Sequence, residues 1–174
     1  MLRNDNYVLS NKGQIYKSQA VDSYLTTQDY GTRFYISTTG LTENNPLKVY
    51  ASCPSRLDKR IFTSDITNYY LSFNQYNYEF KKIYTFGNLD SVIRFTCVQY
   101  NYYYTGSIIE FMNQFSNLEE FGITSTIYEN FSYYSLPKKL KKLTLSDSVL
   151  YGNVNTIQNT ENLETISFTN CDFT

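Results

Sequence analysis

The chain has no histidine. That absence removes the commonest general base and metal ligand, and with them every Ser-His or Cys-His arrangement for nucleophilic catalysis. Few residues are left that could do chemistry. Glu119 and Glu120 are adjacent carboxylates, the residue type of a glycosidase acid–base pair. Neighbours on a strand point to opposite faces, so this pair cannot straddle a scissile bond. Cys53, Cys97 and Cys171 are widely spaced, odd in number and without a CxxC, which predicts three reduced, partly buried thiols. No phosphate-binding loop and no GxGxxG fingerprint is present. The expectation is a non-enzymatic protein with no catalytic residue, no metal and no cofactor.

Two clusters could bind without catalysing. Tyr100, Tyr102, Tyr103 and Tyr104 form an aromatic run that could stack on sugars or bases. With 19 tyrosines in the chain, the same run also reads as aromatic filling of a loop. Lys138, Lys139, Lys141 and Lys142 surround Leu140 in the manner of a nucleic-acid or localisation patch. Charge argues against that use. Fifteen Lys+Arg nearly balance sixteen Asp+Glu, so no global field attracts nucleic acid or an anionic membrane. The first ten residues lack the apolar core of a secretory signal, and no apolar run is long enough to span a bilayer. A cytoplasmic or virion-associated location is therefore expected, with no nucleic acid and no membrane insertion.

The elements that carry these residues repeat. LEEFGITSTI (118–127), LKKLTLSDSV (140–149) and LETISFTNCDF (163–173) align without gaps on the pattern LxxLxLxx[N/C/S/T]xL. A fourth copy from Leu89 fits if one extra residue follows it, with Ile93 and Phe95 at its anchors. Asn88, Asn117 and Asn162 precede the first leucine of three copies, and the first leucines of all four, Leu89, Leu118, Leu140 and Leu163, are 29, 22 and 23 residues apart. A strand puts alternate residues on one face, so Phe121/Ile123, Leu143/Leu145 and Ile166/Phe168 point inward. One such strand cannot bury that face, whereas stacked parallel strands cover one another. Thr126, Ser148 and Cys171 fall where the chain turns inward. The 29-residue spacing leaves room for a short helix: Ser107 and Glu110 form a capping box, and Ile108, Phe111, Met112 and Phe115 have helical spacing.

This stretch resembles the irregular leucine-rich repeats of the BspA-like type, bacterial surface proteins with ~23-residue repeats. The resemblance covers residues 86–174, about half the chain, and the chain departs from that family in showing no signal peptide. It implies a short solenoid with parallel strands, of a kind that serves adhesion, assembly and ligand binding alike. In repeat register, Glu119, Glu120, Lys141, Lys142, Thr144, Glu164 and Ser167 would form the concave binding face. There the lysines lie between acidic rungs and pair across strands rather than making a basic stripe. The final strand has no polar capping repeat after it. Its edge is expected to be covered by more repeats or by another chain.

The first half shows no repeat. Tyr7–Ser10 and Gln14–Ser18 flank a turn at Asn11-Lys12-Gly13 and predict a hairpin. Ala20, Val21, Tyr24 and Leu25 suggest a short helix stopped near Gly31. Strands are expected at Arg33–Ser37, Leu47–Cys53 and Ile61–Thr63, and paired strands between Tyr69 and Phe86. The fold class is mainly β (α+β): a β-rich domain over 1–80 that docks or caps, its last strands stacked on the first repeat, then a repeat stack over 81–174 of about four rungs. The expected role is a structural or appendage component of a larger assembly, for example a phage virion or tail protein, with other subunits as partners. The alternative is an adhesion or ligand-binding surface protein.

Overall fold

Aromatic and β-branched residues at alternate positions favour extended backbone, because each strand can bury one face against its neighbours. The computed structural model describes residues 7–9, 15–17, 25–28, 31–53, 56–74, 80–105, 108–126, 128–132 and 135–173, and the protein is mainly β. Its strands are β1 (Tyr7–Leu9), β2 (Ile15–Lys17), β3 (Leu25–Gln28), β4 (Gly31–Thr38), β5 (Leu47–Cys53), β6 (Arg56–Phe62), β7 (Tyr69–Asn74), β8 (Phe80–Gly87) and β9 (Val92–Thr105). After these come the helix α1 (Ile108–Asn113) and strands β10 (Glu120–Thr126), β11 (Tyr128–Asn130), β12 (Lys142–Ser146), β13 (Val149–Tyr151), β14 (Thr165–Thr169) and β15 (Asp172–Phe173).

A mixed sheet runs in the order β14-β12-β10-β9-β3-β8-β5-β6, with β4 paired to both β9 and β7. The pairs β9–β10, β10–β12 and β12–β14 are parallel. All pairs on the other side of β9 are antiparallel. A second parallel ladder, β11-β13-β15, follows the first on the chain. The fourteen-residue strand β9 joins the two kinds of pairing. It lies against β10 on one side and against β4, then β3, on the other. One core crosses the whole sheet, from Leu47 and Ile83 through Phe34, Phe95 and Phe121 to Leu143 and Leu145. Phe95 sits at its centre, within 4.9–6.1 Å of the rings of Phe34, Phe111, Phe115 and Phe121. The boundary expected at 80/81 falls where β8 begins, and β8 pairs with β5 and β3.

Local chemistry repeats along the parallel strands. The N–H groups of Leu118, Leu140 and Leu163 each donate to the carbonyl three residues back. The Asn117 side-chain amide donates to the Asp90 carbonyl at 2.8 Å, and that of Asn162 to the Lys138 carbonyl at 2.7 Å. Each thus ties its turn to the preceding one. After the strands, Asp147 and Asn170 adopt left-handed backbone, a conformation that short polar side chains tolerate. The buried Ser148 hydroxyl donates to the Ser146 carbonyl at 3.0 Å, and the Cys171 thiol lies 3.5 Å from the Leu145 and Thr169 carbonyls. These contacts satisfy backbone groups that the turn takes out of the ladder.

Four expectations are corrected. Leu25 opens the strand β3, opposite Ile83, instead of closing a helix. A β-branched run with two strands to pair with is held by them whatever its helical spacing, and Ala20–Tyr24 lie outside the described residues. Among the described residues β7 and β8 do not pair with each other, for β7 pairs with β4, and β8 with β5 and β3, while Tyr76 and Tyr78, expected in the partner of the Tyr69–Phe73 run, lie outside the described residues. Alternation reports which face is buried but not which strand lies beside it. The strands against β9 are β3 and β4, not the last ones of the first half. Finally, Phe95 and Cys97, not Ile93 and Phe95, stand opposite Phe121 and Ile123. That two-residue slip keeps every side chain on its face, so the apolar pattern is blind to it. The capping residue Ser107 and the turn at 11–13 lie outside the described residues, while α1 buries Ile108, Ile109, Phe111 and Met112.

Candidate functional site

Opposite the core, the sheet presents a polar face whose rows follow from strand register. One row crosses six strands: Tyr70, Tyr35, Thr96, Gly122, Thr144 and Ser167. The next holds Ser37, Arg94, Glu120, Lys142 and Thr165. The inward residues between them, Phe121/Ile123 and Leu143/Leu145, are buried, which fixes the outward aim of these rows.

The charged row is internally paired. Glu120 forms an ion pair with Arg94 Nε on one side and with Lys142 Nζ on the other, both at 3.2 Å. Beside them, Lys141 Nζ donates to Glu119 at 2.8 Å, with both side chains about half exposed. The Glu119 carboxylate raises the Lys141 ammonium above its ordinary value of 10.5, mainly through this hydrogen bond, and Glu164 adds a smaller attraction. Arg94 is further held by Asn68, whose Oδ1 accepts Nη1. Asn68 is presented by left-handed backbone, with its N–H on the Ser37 hydroxyl at 2.9 Å. The Arg94 Nε–H is buried and points off the line to Glu120, so that it has an ion-pair neighbour but no well-angled acceptor.

Between these rows lies a shallow groove of about 360 Å³. Tyr35 and Asn68 form one side, Lys142 and Thr144 the other, and Gly122 its floor. A Cβ at Gly122 would stand 3.3 Å from the Thr96 methyl and 3.7 Å from Thr144 Cβ, so glycine leaves a notch between the two threonines. The Thr96 hydroxyl oxygen is buried and has no hydrogen-bond partner. Tyr35 packs on Tyr70 with centroids 5.4 Å apart, and Tyr70 is 46% exposed.

Of the residues that sequence reasoning picked, Glu120, Lys142 and Thr144 line the groove, and Ser167 continues the Thr144 row. Glu119 and Lys141 stand at its side as a separate pair, and Glu164, just before β14, donates its N–H to the Lys141 carbonyl. The tyrosine run lies on β9, not in a loop. Tyr103 pairs with Thr126, Tyr104 with Thr27, and an irregularity in register precedes Tyr103. The side chains of Tyr100, Tyr102, Tyr103 and Tyr104 lie outside the described residues. Tyr35, Asn68, Arg94, Thr96 and Gly122 escaped the sequence reading. Thr96 and Gly122 follow once β9 is registered on β10, but nothing local announces that β4 comes from sixty residues away to flank β9.

Comparison adds no relative. No family model, curated protein or solved structure matches this chain. Among the described residues no helix is long and apolar enough to cross a membrane, a statement that does not bear on strands.

Proposed function

We propose that residues from about Phe86 onward are a leucine-rich-repeat stack and that the protein is a non-enzymatic interaction module, a structural or appendage component of a larger assembly such as a virion or tail. The observation that carries the repeat reading is register. Phe121, Leu143 and Ile166 share one row, and Ile123, Leu145 and Phe168 the next. The same turn precedes each strand and a second parallel ladder follows. In this reading the β-rich first half docks on the assembly and the stack extends from it. The edge strands β14 and β15, with Ile166 46% and Phe173 57% exposed, accept a further strand from another subunit or from more repeats. An interaction role is also supported by a polar face whose charges cancel one another and by a sequence without histidine.

The experiment is affinity capture from native material with amine-reactive crosslinking. Crosslinks from Lys48 and Lys59 of the first half to a fixed set of partner chains support docking. Turnover of any substrate that is abolished by changing a single carboxylate would falsify the non-enzymatic reading. The second reading, an adhesion or ligand-binding protein using the same face, is favoured by one observation, the groove beside Tyr35.

A further inference from the structure

We infer that this groove binds a neutral carbohydrate chain laid across the strands, an inference that rests on reading the chain as a binding module. The floor is lined by hydroxyls. Thr96, Thr124 and Thr144 line it; beyond the groove the Thr96–Gly122–Thr144 row continues to Ser167 on β14, and Thr124 is followed by Ser146 on β12 and Thr169 on β14. Strands stand ~4.8 Å apart, so the groove offers donors and acceptors at short, regular intervals along one direction. That array suits a ligand whose own hydroxyls recur along a chain.

The flanks narrow the class further. Arg94, Lys141 and Lys142 are matched by Glu119, Glu120 and Glu164, so the face has no net field to hold a polyanion, which requires an excess of Lys and Arg. Paired charges still present oriented oxygens and N–H groups, and the Arg94 Nε–H has spare donor capacity. At one end the Tyr35–Tyr70 pair supplies an aromatic wall, apolar on its face and polar at its tip, against which the C–H face of a sugar ring can lie. The notch at Gly122 lets a ring approach the backbone. Thr96 is 7% exposed and its hydroxyl is unpartnered. A turn of about 120° around χ1 would bring that hydroxyl to the place of the methyl beside the notch. A peptide is a poorer fit. Peptides that join a sheet do so at an edge through main-chain bonds, and this site is on the face. Nor does its threonine-and-glycine floor offer the apolar pocket that a protein anchor fills.

The test uses the full 174-residue chain against immobilised short oligomers of glucose, galactose, mannose and N-acetylglucosamine, with acidic oligosaccharides and Tyr/Ser peptides as parallel arms. Binding to a neutral oligomer that persists as salt is raised is the expected result. Tyr35→Ala and Gly122→Ala should each weaken it by about tenfold or more, and Glu161→Gln, on an exposed turn away from the groove, should leave it unchanged. Amide shifts of the unmodified protein during titration should centre on Thr96, Gly122 and Thr144, a readout independent of whether the variants fold. Binding confined to the acidic or peptide arm overturns the inference, as does shift mapping elsewhere or no binding at all. If no sugar binds while the native chain still travels with a large assembly, the inference fails and the interaction-module reading stands. If a sugar binds to a chain that travels alone, the assembly role fails instead.

Discussion

At the level of single residues, the polar face is built from matched charges whose effects depend on pH and salt. Asp65 accepts the Gly40 and Leu41 N–H groups at 2.9 and 2.8 Å. The Leu41 bond first, then that of Gly40, holds its carboxyl below the ordinary 3.8. A depressed folded value means that the contribution is present above 3.8 and is lost as pH falls through the lower folded value. The Gly40 and Leu41 amide shifts should therefore titrate together below 3.8, and Asp65→Asn should abolish the step; a midpoint at or above 3.8 would contradict it. Lys141 runs the other way. Its raised value keeps its contribution in place below 10.5, to be lost only as pH rises through the higher folded value. Replacing both Lys141 and Lys142 by Glu puts like charges opposite Glu119 and Glu120. The double variant should melt lower than the parent at low salt, with the gap closing as salt is added; equal melting at low salt would refute the pairing. The Glu–Lys–Glu alternation was legible in the sequence because an ungapped repeat fixes which residues become neighbours. Arg94 was not, since the first row is offset by two residues and parity alone gives no warning.

At the level of elements, the sheet is held by the aromatic cluster around Phe95, where β4, β9, β10 and α1 meet. Phe95→Ala should cost about 3–5 kcal/mol, the range for removing a fully buried ring. Ile166→Ala, on the half-exposed strand β14, should cost less than about 1 kcal/mol. Urea unfolding of the two variants gives the comparison, and similar losses would mean that the core is not centred where the rings place it. Strands such as β4, β5 and β12 could be read from alternation, and α1 from its apolar spacing, because each pattern reports a local period. The strand β3 could not. Leu25-Thr-Thr-Gln28 carries a weak local signal, and its state is decided by β8 and β9, which lie more than fifty residues away. Nor could the partners of β7 and β8 be read, for alternation is mute about which edge meets which.

For the whole molecule, a parallel half and an antiparallel half share one sheet and one core through β9. The sequence suggested two bodies in succession because only one half repeats. A change of periodicity marks a change of local rule, and it does not mark a break in packing. The same continuity places Tyr35, from the non-repeating half, beside the repeated threonines, so the groove belongs to neither half alone. Strands β14 and β15 leave Ile166 and Phe173 in the open, apolar surface that the proposed larger assembly would cover. The most direct check of that claim is the size of the native protein, read by sedimentation of source material and detection of this chain across the gradient. The account predicts that the chain travels with a particle far larger than its own 20.4 kDa and stays with it on dilution. A chain found free as a dilution-stable monomer of that mass would contradict it.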